Sequence, residues 1–274
     1  MNILRLFSLF IAAFSAFAVQ GAKVDTVAIA SKFVGGEPVK AIVITPDAAS
    51  NTRRCPTVYL LHGYGGDHTS WLGMTQPRLP QLADEYGMIM VMPDGRDSWY
   101  WDSPQVPEMQ MESFIMKELV PYIDSRFPSI ATPDQRAITG LSMGGQGALF
   151  LAMSHPSTFG SAGSTSGGVD ITKFPKNWKM NHWLGSFDQN KQQWDDRSIV
   201  NLAKKLKPGQ LNIIFDCGKD DFFAEVNNNL HQALLDRGID HDYISRPGKH
   251  THLYWRNAIL YHLLFFNQAF NHSK

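Results

Sequence analysis

The stretch RAITGLSMGGQGALFLAMS, residues 136–154, decides the fold. Arg136 to Leu141 is short and carries β-branched residues, so it reads as a strand. Gly144 to Ser154 reads as a helix that stops before His155 and Pro156, because the residue ahead of a proline avoids helical backbone. Between the two lies Gly140-Leu141-Ser142-Met143-Gly144, a G-x-S-x-G pattern at a strand-to-helix turn. Such a turn lifts the serine oxygen clear of the sheet, and larger side chains at the flanking positions would collide there. The helix N-terminus adds amide N–H groups and positive potential beside that oxygen. Ser142 is the expected nucleophile, with the Met143 amide as a donor beside it.

The pattern continues outward in both directions. Val39 to Thr45 alternates and is rich in β-branched residues. Thr57 to Leu61 (TVYLL) and Met88 to Met92 (MIMVM) are continuous apolar runs, as strands buried on both faces require. Phe159 to Gly163 is a weak strand, Leu211 to Asp216 a strong one, and Asp242 to Ser245 the last. Helical spacing runs over Leu79 to Tyr86, Met111 to Phe127, Ala224 to Arg237 and Leu253 to Phe270, the last with an apolar stripe from Trp255 to Phe270. Buried strands alternating with helices predict an α/β fold. Its sheet is mainly parallel and covered on both faces, with the first strand or two as an antiparallel edge. Asp170 to Asp196 breaks the rhythm and reads as an insertion over the sheet edge. Residues 23–274 are then a single domain.

The chain has 274 residues, 43% hydrophobic and 18% charged, an ordinary globular composition. Lys+Arg and Asp+Glu are both 25. The zero balance argues against nonspecific nucleic-acid binding, which needs a basic excess to neutralise phosphates. Arg5 precedes an uncharged apolar run from Leu6 to Val19, shorter than the roughly 20 residues of a spanning helix. Small residues follow, so residues 1–22 read as a signal peptide cut after Ala18 or Gly21. The mature protein is then exported to the periplasm or outside, with no stable membrane anchor. Cys55 and Cys217 sit at opposite ends of two different strands and are expected as separate thiols.

A nucleophilic serine needs a base, and the base an orienting acid. Asp216-Cys217-Gly218-Lys219-Asp220-Asp221-Phe222 follows the strong strand, and Gly248-Lys249-His250-Thr251-His252 follows the last one. Each stretch offers two choices, Asp220 or Asp221 and His250 or His252. Leu60-Leu61-His62-Gly63-Tyr64-Gly65-Gly66-Asp67 leaves a buried strand, so the Tyr64 amide can join that of Met143 in a two-donor oxyanion hole. Each such donor is worth about 3–4 kcal/mol at the transition state. Aromatic residues crowd the loops, and Trp99, Trp101 and Trp183 are expected substrate contacts. His250-x-His252 could form half of a metal site, but no third ligand is suitably spaced and the serine explains His250 without one. No metal or other cofactor is expected. A non-catalytic binding protein on the same fold is the alternative of a different class.

Together, LLHGYGGDHTSW, SWYWDSP, GLSMGGQGALFLAMSHP, DCGKDDFF and PGKHTHLYW resemble the esterase D-type branch of the α/β-hydrolases. That branch includes S-formylglutathione hydrolases, secreted acetyl and feruloyl esterases, and mycolyltransferases. The resemblance runs from about Val39 to the C-terminus. It implies a sheet of about eight strands and a serine carboxylic-ester hydrolase. In such relatives the acid is the later aspartate, matching Asp221. The base is the histidine after the P-G-x turn with an aromatic a few residues on, matching His250 and Trp255, and the oxyanion residue matches Tyr64. The implied substrate is a small-molecule or polysaccharide ester, foremost acetyl or feruloyl groups on plant cell-wall polysaccharide. A formylglutathione-type thioester or acyl transfer is the alternative.

Overall fold

A computed structural model of the chain describes residues 21–272; the expected leader falls, except for its last two residues, outside them. The described strands are β1 (Lys23–Ile29), β2 (Val39–Thr45), β3 (Thr57–Leu61), β4 (Ile89–Pro93), β5 (Arg136–Gly140), β6 (Ser161–Thr165), β7 (Asn212–Gly218) and β8 (Asp242–Arg246). They form one eight-stranded sheet in the order β1-β2-β4-β3-β5-β6-β7-β8. β2 runs antiparallel to β1 and β4, and every pairing from β4 through β8 is parallel. The antiparallel edge is the expected one, and the sheet is the expected α/β-hydrolase architecture.

The helices are α1 (Leu79–Tyr86), α2 (Met111–Phe114), α3 (Val120–Arg126), α4 (Met143–Ser154), α5 (Met180–Leu184), α6 (Lys191–Asp195), α7 (Ile199–Leu202), α8 (Ala224–Leu235) and α9 (His252–His272). Strand side chains alternate between two cores. Val58 and Leu60 of β3 face Leu82 of α1 and Ile259 and Leu263 of α9. Tyr59 and Leu61 face the opposite layer, with Phe114 of α2, Leu149 of α4 and Leu230 of α8. Covering both faces is why β3 and β4 read as continuous apolar runs, and β5 is buried along its whole length as well.

Several elements differ in detail from the sequence reading. β1 carries no strong apolar signal, because most of its side chains are at least partly exposed on the sheet edge. β6 is Ser161–Thr165, two residues later than expected; the ladder pairs Ser161 with Asn212 of β7, while Phe159 packs edge-on to Tyr59 at 5.8 Å. The long helix after Met111 contains a π-helical turn over Ile115–Leu119, between α2 and α3. The insertion resolves into the short helices α5 and α6, stapled by the Trp194 indole N–H donating to the Gly185 carbonyl at 3.1 Å.

A buried polar network pins α9 beneath the sheet. His262 Nε2 bonds Asp216 Oδ2 at 2.8 Å, and its Nδ1 bonds Thr139 Oγ1 at 2.8 Å. Thr165 Oγ1 donates to Asp216 Oδ1 at 2.9 Å. Asp216 is 1% exposed and His262 fully buried, so removing either leaves the other without its partner. His262→Ala is expected to lower unfolding stability by about 3–5 kcal/mol, measured by urea denaturation.

Cys55 lies two residues before β3 and Cys217 near the end of β7; both are buried free thiols. β5 and β6 separate their strands, so the lateral gap alone is about 14 Å, beyond the roughly 7 Å a bridge allows. Burial pushes both thiols up, which keeps them protonated and slow to react in the native state. An alkylating reagent is therefore expected to label two cysteines per denatured chain and far fewer in the folded protein, as read by intact mass.

Candidate active site

Four loops leave the C-terminal ends of β3, β5, β7 and β8 and meet at one point, as crevices in open α/β sheets do. At its centre Ser142 adopts φ 56° and ψ −117°, a region that a non-glycine residue rarely occupies. Its N–H donates to the Thr165 carbonyl at 2.9 Å, and Gly144 N–H donates to the Leu141 carbonyl at 2.8 Å. Both motif glycines are required by contact. A Cβ on Gly140 would strike the Gly144 backbone, and one on Gly144 would strike the carbonyls of Leu61 and His62. The turn thus lies directly against β3, with α4 starting at Met143.

His250 reaches Ser142 from the loop after β8. Its Nε2 lies 2.9 Å from Ser142 Oγ, and its Nδ1 lies 2.9 Å and 3.1 Å from Asp221 Oδ2 and Oδ1. The Asp221 side chain is fully buried, and its Oδ1 also accepts the Phe223 N–H at 2.9 Å. A carboxylate so placed accepts the Nδ1 proton of a neutral imidazole. Nε2 is then left with its lone pair facing the serine hydroxyl. Phe222, Phe223 and Trp255 surround the ring, with centroids 4.3, 5.5 and 4.8 Å away. Asp220 lies 46% exposed and pairs with Lys219 Nζ at 2.7 Å, so the chain turn after β7 gives only Asp221 to the histidine.

The Tyr64 turn is braced from below. Gly95 N–H donates to His62 Nε2 at 2.8 Å, which puts the ring proton on Nδ1, where it donates to the Gly63 carbonyl at 2.8 Å. Tyr100 Oη donates to the His62 carbonyl at 3.0 Å, and Gly65 N–H donates to Asp97 Oδ1 at 2.6 Å. Tyr64 and Ser142 line the same cavity of about 250 Å³, with Met143 next to Ser142 at the first position of α4. Burial, helped by Asp97, raises the Tyr64 phenol, so that ring stays neutral.

The aromatic wall differs from the expected one. Trp99 and Trp101 are 1% and 0% exposed and stack on each other at 5.4 Å beneath the site. Positive φ at Trp99 and Tyr100 turns this loop inward, so these rings pack rather than touch substrate. Trp183 is half-buried beside His182, at 4.5 Å, and is not part of the cavity wall. The wall is built by Met74, Trp178, Phe222, His252 and Trp255. Phe222, 55% exposed, stacks on Trp178 at 5.9 Å. Phe222 is legible from its place directly after Asp221, and Trp178 as one of the aromatics that crowd the loops; Met74 carries no such signal.

Asp221→Asn is expected to lower turnover on an activated ester about 10⁴-fold, since it imposes the wrong imidazole tautomer. Asp220→Asn is expected to stay within about threefold, as an exposed ion pair contributes little. Steady-state kinetics of the two variants, side by side, checks the assignment.

Comparison with known proteins assigns the chain to a family. The sequence model of the Esterase family matches residues 33–266. An acetyl esterase of Caldicellulosiruptor saccharolyticus is 32% identical over 74% of this chain and 80% of its own length. The S-formylglutathione hydrolase of Rattus norvegicus is 26% identical over 74% and 82%. Among solved structures, a ferulic acid esterase superposes with a TM-score of 0.78 at 24% identity, covering 91% of this chain and 99% of that one. An S-formylglutathione hydrolase of Staphylococcus aureus superposes with a TM-score of 0.78 at 21% identity, over 90% and 100%. These two likenesses show a shared fold. With the family match across most of its length, the chain belongs to the Esterase family, carboxylic ester hydrolases built on the α/β-hydrolase fold.

Proposed function

We propose that this esterase works through a covalent acyl-enzyme on Ser142, with His250 as base and Asp221 as its orienting acid. The observation that carries the reading is the unbroken chain from Ser142 Oγ to His250 Nε2, 2.9 Å, and from His250 Nδ1 to Asp221, 2.9 Å, opening on a cavity. His250 takes the hydroxyl proton as Oγ attacks the ester carbonyl. The amides of Tyr64 and Met143 hold the resulting oxyanion, and His250 returns the proton to the leaving alcohol. Water, activated by the same imidazole, then releases the acid. Asp221 remains a carboxylate throughout and stabilises the imidazolium.

We infer that the substrates are acetyl or feruloyl esters of plant cell-wall polysaccharide, met after export directed by residues 1–22. The acetyl esterase relative supports a small acyl group. The stacked Trp178–Phe222 pair and Trp255 support an aromatic one, because flat rings gain dispersion and quadrupole contacts from such walls. A thioester substrate is the second reading, favoured by the S-formylglutathione hydrolase relative.

A panel of acetyl, butyryl and feruloyl esters, with acetylated and feruloylated xylan and S-formylglutathione, tests the substrate. Release from either xylan at a higher kcat/KM than thioester cleavage is expected. Ser142→Ala is expected to lose at least about 10⁴-fold in turnover and to lose covalent labelling by a fluorophosphonate probe. Wild-type activity in that variant would overturn the mechanism.

A further inference from the structure

His252 stands two residues after the proposed base, at the first position of α9, and the mechanism does not use it. Its ring lies in the cavity wall with Ser142 and is held from two sides. Nδ1 bonds Thr75 Oγ1 at 2.8 Å, and the ring sits edge-on to Trp255 at 5.0 Å. The hydroxyl of Thr75 points its own proton at the Ser70 carbonyl, 3.3 Å away. Both contacts are satisfied together when Thr75 Oγ1 accepts from His252 Nδ1–H. That tautomer leaves a lone pair on Nε2. Nε2 has no hydrogen-bond partner among the described residues, in a wall otherwise built mostly of apolar and aromatic groups.

We propose that His252 is a specificity-determining residue whose Nε2 accepts a hydrogen bond from a hydroxyl carried by the bound ester. The inference rests on the ester-hydrolase reading and goes beyond it to the recognition of one substrate group. Burial, with Arg256 and His250 nearby, lowers the imidazole's proton affinity, so the ring stays neutral and keeps its acceptor at neutral pH. The position is preorganised by more than the Thr75 contact. Arg256 Nε donates to the Thr75 carbonyl at 2.8 Å and its Nη2 to the Met74 carbonyl at 3.0 Å, fastening the start of α9 to the 71–75 turn. An acceptor fixed in an apolar wall favours a ligand that brings a donor over one that does not.

The hydroxyl can come from the acyl group or from the alcohol, and two substrate pairs separate these sources. Methyl 4-hydroxycinnamate against methyl 4-methoxycinnamate tests the acyl side. An acetylated methyl xyloside with free neighbouring hydroxyls, against its O-methylated counterpart, tests the alcohol side. The wild-type enzyme is expected to prefer the hydroxyl-bearing member of one pair by about 5- to 10-fold in kcat/KM. His252→Asn and His252→Gln divide the ring's two nitrogens. The asparagine amide reproduces the Nδ1 contact to Thr75 without reaching Nε2, and the glutamine reproduces the Nε2 position. His252→Asn is expected to keep a melting temperature near wild type and bring the ratio close to one, while His252→Gln retains part of the preference. Because the ratio is taken within each enzyme, a general loss of activity cancels. No preference in either pair for the wild type, or an undiminished preference in His252→Asn, overturns the proposal and leaves His252 a staple between α9 and the 71–75 turn. Failure of the wild type to cleave any of the four esters, while Ser142 still labels with a fluorophosphonate probe, overturns the proposed substrate class and this inference with it; failure of both cleavage and labelling defeats the hydrolase reading itself.

Discussion

A backbone held at φ 56° and ψ −117° at Ser142 is the constraint on which the rest of the site depends. Such a conformation costs on the order of 1–3 kcal/mol and persists only where the surroundings over-determine it. Here they do so from both neighbouring strands. Thr165 at the end of β6 takes the Ser142 N–H at 2.9 Å, and Leu61 at the end of β3 takes the Leu141 N–H at 3.2 Å. The sheet order that places β5 between β3 and β6 is therefore part of the site's chemistry. It also explains why the motif tolerates nothing larger than glycine at 140 and 144, where the turn touches its own helix and β3.

β7 supplies two aspartates with opposite fates. Asp216 sits within the strand and Asp221 in the turn beyond it. Both bond a histidine, at 2.8 Å and 2.9 Å. The His262 ring is sealed between β5 and β7 and its second nitrogen is taken by Thr139, so that pair can only fasten α9 to the sheet. The His250 ring keeps its second nitrogen on Ser142 at the floor of an open cavity. The same two residue types give a staple in one case and, in the proposed mechanism, a proton path in the other. The difference is whether solvent and substrate can reach the far nitrogen.

The aromatic residues divide by the same rule of access. Trp99, Tyr100 and Trp101 are buried, and Tyr100 carries the His62 carbonyl that shapes the Tyr64 turn. Their work is support of the turn from beneath. Trp178 and Phe222, from two loops far apart in the chain, meet in a stack at the cavity mouth. Composition marks a chain rich in rings, but depth below the surface assigns each ring its role.

The layered α/β architecture is legible in the residues alone, because runs such as TVYLL and MIMVM suit strands buried on both faces and the helices that cover them carry a stripe. So is the place of Ser142 at a strand-to-helix turn, since only small flanking residues survive there. Between Asp220 and Asp221, and between His250 and His252, local pattern offered equal candidates. The tertiary structure chose by direction: the turn after β7 buries one carboxylate and gives the other to Lys219, while Thr75 takes His252 and leaves His250 to the serine. The substrate wall was still less legible. Met74, Trp178 and Phe222 come from three separated segments, and nothing in their spacing says they will share a cavity. Periodicity reports which face of an element is buried; it carries no information on which loops converge, because convergence is set by strand order across the sheet.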